Sequence, residues 1–430
     1  MAAWLNAMNY DNRNRYELVR RVVVTGIGVV APNGNTLETF WGSIETGTSA
    51  AAPVTKFDVS QLPVKYGAEV KDFRLSDFVD AKEGRYDRTI QYGLAASSQA
   101  LIHSRLDMKS VDPQRVGIVE GTTISGSESV MKTQKIFLQT RDYRKVHPYN
   151  VVAGYCGEGS STISQHLGIQ GAAITYCSGC ASSNDSIGHA SKLIRHDEFD
   201  VMLAGGAEEM HEMLFVGFCK LRSMSEWHGE PGRSMRPFDR SRDGFVLGEG
   251  AAFLVLEERS HALARGATIY AEVLGHGRTS EAYHPTAPHP EGVGYRAAME
   301  RALQDARIVP EQISHINAHG SATKQNDPIE TKAIKAVFGD HARRLSVTAT
   351  KPITGHLMGA SGAVEAAVTV MTLHKQSIPP TINLVDPDVG CDLDYVKLPR
   401  PYPVKTALCV NAGFGGRYSC LVFGEDEKKQ

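Results

Sequence analysis

Residues 172–193 read AAITYCSGCASSNDSIGHASKL, and residues 346–373 read SVTATKPITGHLMGASGAVEAAVTVMTL. Each begins with a short β-branched run, breaks at small residues and continues as a pattern rich in Gly, Ala and Ser. That is a strand turning into a helix, the recurring unit of an α/β fold. The helices are expected over about 181–193 and 357–373. Side chains this small let a helix approach a sheet or another helix closely, so the two are expected to form a central buried pair.

Further strand patterns flank both stretches. The first half offers 22–30, 116–123, 172–177, 200–206 and 251–257; the second offers 269–277, 315–323, 346–350, 406–416 and 418–424. Five are followed by five, and the strand that leads into the small-residue helix is third in each set. Residue identity between the halves is slight, but the order points to an internal duplication. The expected organisation is a polar extension over 1–20, one half over 21–265, a second over 266–425 and a polar tail over 426–430.

Composition narrows the function. With 430 residues, 42% of them hydrophobic, the chain has enough apolar content for a large core. A net charge of −2 gives no basic field for tracking nucleic acid. Residues 1–21 carry no apolar stretch resembling a secretory signal, and no run approaches the roughly 18 apolar residues that span a bilayer. A cytoplasmic protein without membrane or nucleic-acid partners is expected. Its seven cysteines are then expected to be reduced, with Cys156, Cys219, Cys391, Cys409 and Cys420 as small buried hydrophobes. Cys177 and Cys180 form a C-x-x-C, but no second pair exists to complete a zinc site.

Cys180 stands where the strand gives way to the helix, where the helix dipole favours a thiolate. Gly179 permits a tight turn, and Ala181, Ser182 and Ser183 are expected to leave space above the sulfur. Taken alone, the cysteine reads equally well as a buried structural residue. His319, in INAHGSATKQND, and His356, in TKPITGHLMGASGA, also lie at strand ends, in the half that mirrors the Cys180 half. A duplicated fold brings such ends to one place. In NAGFGGR, residues 411–417, the glycines allow the Phe414 amide to join the Cys180 amide as an oxyanion hole; the same stretch also reads as a hairpin turn. GIGVVAPNG and GGAEEM lack the spacing of a phosphate-binding loop.

GCASS at 179–183, NAHGSAT at 317–323, TKPITGHLMGASGA at 350–363, RPFDRSRDGFVLGEGA at 236–251 and PPTINL at 379–384 together resemble β-ketoacyl synthases of the thiolase superfamily. The resemblance runs over about 22–424. It implies the duplicated five-layer αβαβα fold, a dimer, acyl-carrier-protein substrates and a Cys-His-His triad, here Cys180, His319 and His356. It further implies that Lys351 supports the second histidine with the acidic Glu330 near it, and that Ser321 and Thr323 bind the pantetheine arm. NAHGSATKQND and NAGFGGRYS are most similar to the catalytic ketosynthase subunit of type II polyketide synthases. Fatty-acid enzymes of the family usually have an additional phenylalanine where this chain has Ala412. Such polyketide subunits commonly pair with a chain length factor, a sister lacking the cysteine. Cys177 and the Arg417–Tyr418 pair depart from the family's usual residues.

The expected reaction is a decarboxylative Claisen condensation of an acyl-Cys180 intermediate with a carrier-bound malonyl unit, without metal or other cofactor. The alternatives are a homodimeric fatty-acid-elongating synthase, a non-catalytic chain-length-factor-like subunit and a decarboxylase generating starters; Cys180 argues against the last two. A nondecarboxylative thiolase would need a second cysteine near 414–417. Lys220 and Arg222 are the expected basic contacts for an acidic carrier protein.

Overall fold

The computed structural model describes residues 20–81 and 86–426, so the expected extension and tail lie almost entirely outside the described residues. Eleven strands join in one sheet. We number them β1 (Val22–Val30), β2 (Val116–Gly121), β3 (Ala173–Tyr176), β4 (Val201–Glu208), β5 (Gly250–Glu258), β6 (Ala271–Ser280), β7 (His315–Asn317), β8 (Ser346–Thr348), β9 (Asp394–Tyr395), β10 (Thr406–Gly413) and β11 (Arg417–Gly424). Their spatial order is β9-β8-β7-β10-β11-β6-β1-β5-β4-β2-β3.

That order is the duplication made visible. From the centre outward, β1-β5-β4-β2-β3 on one side corresponds to β6-β11-β10-β7-β8 on the other. The sense of pairing also matches. β1–β5 and β5–β4 are antiparallel and β4–β2 and β2–β3 parallel, while β6–β11 and β11–β10 are antiparallel and β10–β7 and β7–β8 parallel. The halves meet through a short antiparallel contact, Val23 opposite Glu272 and Val24 opposite Ala271.

Helices complete the layers. α1 (Arg88–Ser104) covers the outer face of the first half-sheet, and α4 (Val293–Ala306) that of the second. Between the half-sheets lie α2 (Ser182–Arg195) and α6 (Ser361–Lys375), the expected central pair. Two further helices, α3 (Glu212–Leu221) and α5 (Asn326–Phe338), border the site described below. Among the described residues, one apolar core lies beneath each outer helix, one around α2 and α6, and a fourth around Cys180 and α3. Strands covered on both faces must be apolar throughout, and β1 and β5 are buried along their whole length.

The close central packing depends on small side chains. A Cβ at Gly121 would stand 2.4 Å from the backbone of Ser182 and Ser183, so the end of β2 can touch the start of α2 only as glycine. The two helix starts are joined directly, because the Ala363 N–H donates to Ser183 Oγ at 2.8 Å. Ser182 and Ser183 are fully buried, which corrects the expectation that they leave space above Cys180. Ser182 Oγ accepts from the Ser178 amide at 2.9 Å and so braces the turn.

Candidate active site

The turn that carries Cys180 is a single 3-10 turn, Gly179–Ala181, placed directly before α2. Gly179 takes φ +65°, a left-handed value that glycine adopts at little cost. The segment facing it is the hairpin between β10 and β11. A Cβ on Gly413 would stand 2.6 Å from the Ser178 carbonyl and 3.0 Å from the Cys180 nitrogen. One on Gly179 would stand 3.6 Å from the Phe414 nitrogen. NAGFGGR is therefore both the hairpin turn and a segment pressed against the Cys180 loop.

His319 and His356 come from the second half. Their rings lie 5.5 Å apart and nearly perpendicular, and both line a cavity of about 530 Å3 together with Cys180, Ser321, Thr323 and Phe414. Among the residues expected at the site, the fold brings these six and Arg222 to the cavity. His356 is held in the first half's territory: its N–H donates to the Val246 carbonyl at 2.7 Å, and the Phe245 ring lies 5.0 Å from its imidazole. GFVLGEG thus works as the bed on which His356 lies.

Hydrogen bonding fixes the tautomers. The Ala412 N–H donates to Nδ1 of His319 and the Met358 N–H to Nδ1 of His356, each at 3.3 Å. Burial pushes both imidazoles well below their ordinary pKa, with the Lys351 charge adding to the effect, so both rings are neutral. Since a backbone amide only donates, each Nδ1 is the acceptor and each ring carries its proton on Nε2. The site holds two neutral N–H donors.

Lys351 is almost fully buried and reaches the first histidine in the sequence, not the second. Its Nζ donates to the His319 carbonyl at 2.6 Å and lies 3.3 Å from His319 Nδ1, and it forms a tight ion pair with Glu365 of α6. Glu365 is thus the acid that meets the ammonium. Glu330, on α5, instead accepts from the backbone N–H groups of His319 at 2.7 Å and Gly320 at 2.9 Å, fixing the loop from behind. Burial raises its pKa to about 8. Glu365 went unrecognised in the sequence, although a lone carboxylate in GASGAVEAAVTVM was a legible signal, since a buried charge needs a partner. Glu208 was also missed; it accepts from the amides of Thr123 at 2.7 Å and Gly359 at 3.1 Å and so ties the two halves together.

Cys180 departs from the expected thiolate. It is only 6% exposed, and burial raises its thiol to about 12, opposed by Lys351 and reinforced by Glu208. One helix N-terminus contributes at most about 2 kcal/mol, less than the cost of burying a charge. The resting residue is a thiol. Cys219, Cys391, Cys409 and Cys420 are buried as expected, whereas Cys156 is exposed, because its segment lies outside the core. Lys220, at the exposed end of α3, is not part of the cavity wall; Arg222, two residues on, is.

Models of the β-ketoacyl synthase N-terminal and C-terminal domains match residues 19–262 and 270–385. A duplicated fold with a cysteine in one half and paired histidines in the other thus belongs to a known class: the chain is a member of the β-ketoacyl synthase family, and the enzyme is an acyltransferase of that kind. It is 41% identical to the 3-oxoacyl-[acyl-carrier-protein] synthase 2 of Coxiella burnetii over 94% of this chain and 98% of that one. The corresponding protein of Synechocystis is 40% identical with the same coverage. Among solved structures, the ishigamide ketosynthase/chain length factor superposes with a TM-score of 0.89 at 33% identity, covering 94% of this chain and 99% of that one. A type II polyketide ketosynthase captured with its acyl-carrier protein, AntDE:AntF, gives 0.88 at 32%, again covering 94% and 99%.

Proposed function

We propose that this synthase condenses carrier-bound acyl and malonyl units, with Cys180 as nucleophile and His319 and His356 as donors to the malonyl thioester. The observation that carries the reading is the convergence of a buried thiol and two neutral imidazoles on one cavity, with the Phe414 segment pressed against the Cys180 loop. In the first step Cys180 sulfur attacks the acyl thioester and its proton leaves with the departing pantetheine thiol. The amides of Cys180 and Phe414 stabilise the tetrahedral oxyanion. In the second, the malonyl C–C bond breaks, carbon dioxide leaves, and the electron pair rests on the thioester oxygen, to which both histidines donate. The enolate carbon then attacks the acyl carbon, the C–S bond to Cys180 breaks, the sulfur takes up a proton from solvent, and the chain, longer by two carbons, departs on the carrier. Lys351 and Glu365 hold His319 in place, and Ser321 and Thr323 receive the pantetheine amides.

The pathway we infer is that of a type II polyketide ketosynthase. Ala412 supports it: the position lines the cavity and carries no ring to close it, leaving room for a long or bulky chain. The exposed edge supports a partner subunit there. β3 is only partly covered, helix Ser127–Thr140 has no buried residue, and Leu138, Tyr149, Val151 and Tyr155 are each at least 50% exposed. A chain length factor or a second copy fits this apolar edge. The homodimeric fatty-acid reading has its own support in the 41% identity to a synthase 2.

The test is to incubate the purified enzyme with acyl-carrier protein and then malonyl-carrier protein. Mass spectrometry should find the acyl group on Cys180 and then a β-ketoacyl carrier two carbons longer; absence of the adduct sinks the mechanism. Condensation by the chain alone as a homodimer favours fatty-acid elongation, and activity only with a cysteine-lacking sister favours the polyketide reading.

A further inference from the structure

The wall of the cavity rises along one stretch of chain. Ser321 is buried, Thr323 is half-buried and Lys324 is exposed, and all three line the same cavity whose floor is Cys180. The hydroxyls of Ser321 and Thr323 lie 3.2 Å apart, and the Lys324 ammonium lies one residue beyond them, at the rim. Arg222 stands on the wall contributed by the other half, just past the end of α3. Neither cation has an ion-pair partner among the described residues. The acidic groups near them are arranged differently. Asp243 is paired with Arg236 at 2.9 Å, Glu281 accepts the His289 amide at 3.0 Å beside Tyr418, and Glu226 is exposed on the rim.

Resting on the proposed function, we infer that Lys324 and Arg222 form a subsite for the phosphodiester of the phosphopantetheine arm. The arm is a thioester, then two amides, then a phosphate. The wall presents a thiol, then two hydroxyls, then an ammonium, in the same order from floor to rim. An ammonium on a flexible stem suits a phosphate as a point charge, and the guanidinium opposite supplies directed N–H donors. The Lys324–Arg222 pair acts on the arm itself and is separate from contacts with the protein that carries it.

That separation sets the experiment, which uses no carrier protein. The full-length enzyme is given hexanoyl thioesters of phosphopantetheine and of pantetheine, and acylation of Cys180 is followed for each. The expected result is a KM about five-fold lower for the phosphorylated arm at low salt, falling towards equality as salt screens the charges. In Lys324→Gln and Arg222→Gln the ratio should drop towards one, with unchanged melting temperatures. Equal KM values in the unaltered enzyme, or an undiminished preference in both variants, would overturn the subsite while leaving the acyl-enzyme reading intact. Failure to acylate Cys180 from either thioester would overturn the proposed function, and the subsite with it.

Discussion

In the first half the chain passes from β3 to α2 through residues 177–181; in the second it passes from β8 to α6 through residues 349–360. Both passages end in a 3-10 turn set directly before a central helix, Gly179–Ala181 in one and Met358–Ala360 in the other. The middle residue is Cys180 in the first and Gly359 in the second. A Cβ at Gly359 would stand 2.7 Å from the backbone of Thr122, so the place equivalent to the nucleophile is sterically closed. The longer passage has a use of its own: it holds the short helix Lys351–Thr354 and then His356. Duplication supplied two equivalent turns. Packing left one open for a thiol and closed the other against Thr122, with His356 placed just before it.

The two passages differ most at the thiol. Cys180→Ala should lower condensation by more than about three orders of magnitude, because it removes the one thiol among the described residues that line the cavity. Measured turnover within ten-fold of the unaltered enzyme would mean that the first passage does not hold the nucleophile. Replacing either histidine removes one N–H donor. His319→Ala or His356→Ala should slow malonyl decarboxylation by about 10²–10³-fold, read as carbon dioxide release, while acylation of Cys180 from a preformed acyl thioester suffers less.

Stability separates the passages next. Glu365→Ala leaves Lys351 buried without its partner and should destabilise the fold by about 3–5 kcal/mol in a denaturant titration. Gly359→Ala should cost about 1–3 kcal/mol through overpacking against Thr122. A neutral Gly359→Ala would show that the second turn is free to carry a side chain after all. A last test is one of pH. With the Cys180 thiol raised to about 12, the thiolate fraction increases about ten-fold per pH unit between pH 7 and 10. Alkylation by iodoacetamide should rise in step without levelling off; a plateau near pH 8 would mean that the helix dipole outweighs burial.

Much of this was legible beforehand because it depends on local pattern. Ten of the sheet's strands coincide with apolar β-branched runs in the sequence, and the small residues of 181–193 and 357–373 marked the central helices. The pairing of Lys351 was only half legible: a lone carboxylate in a small-residue helix signals a buried partner but not which charge it meets. Glu330 and Glu365 are both acids near a histidine in some projection of the chain, and only packing shows that Glu330 faces backbone amides while Glu365 meets the ammonium. The state of Cys180 was misjudged for a similar reason, since a strand-to-helix turn announces the dipole but not the depth at which the sulfur is buried.

Local pattern in the chain was enough for the duplicated α/β architecture and for placing Cys180, His319 and His356 at strand ends, because periodicity and turn chemistry are properties of neighbouring residues. The tertiary structure alone decided which nitrogen of each imidazole holds the proton, which acid neutralises Lys351, and which of two equivalent turns stays open. Each of those depends on groups far apart in the chain, as when the amide of Ala412 meets the ring of His319, 93 residues away. Such contacts arise only when strands and helices pack into one tertiary structure.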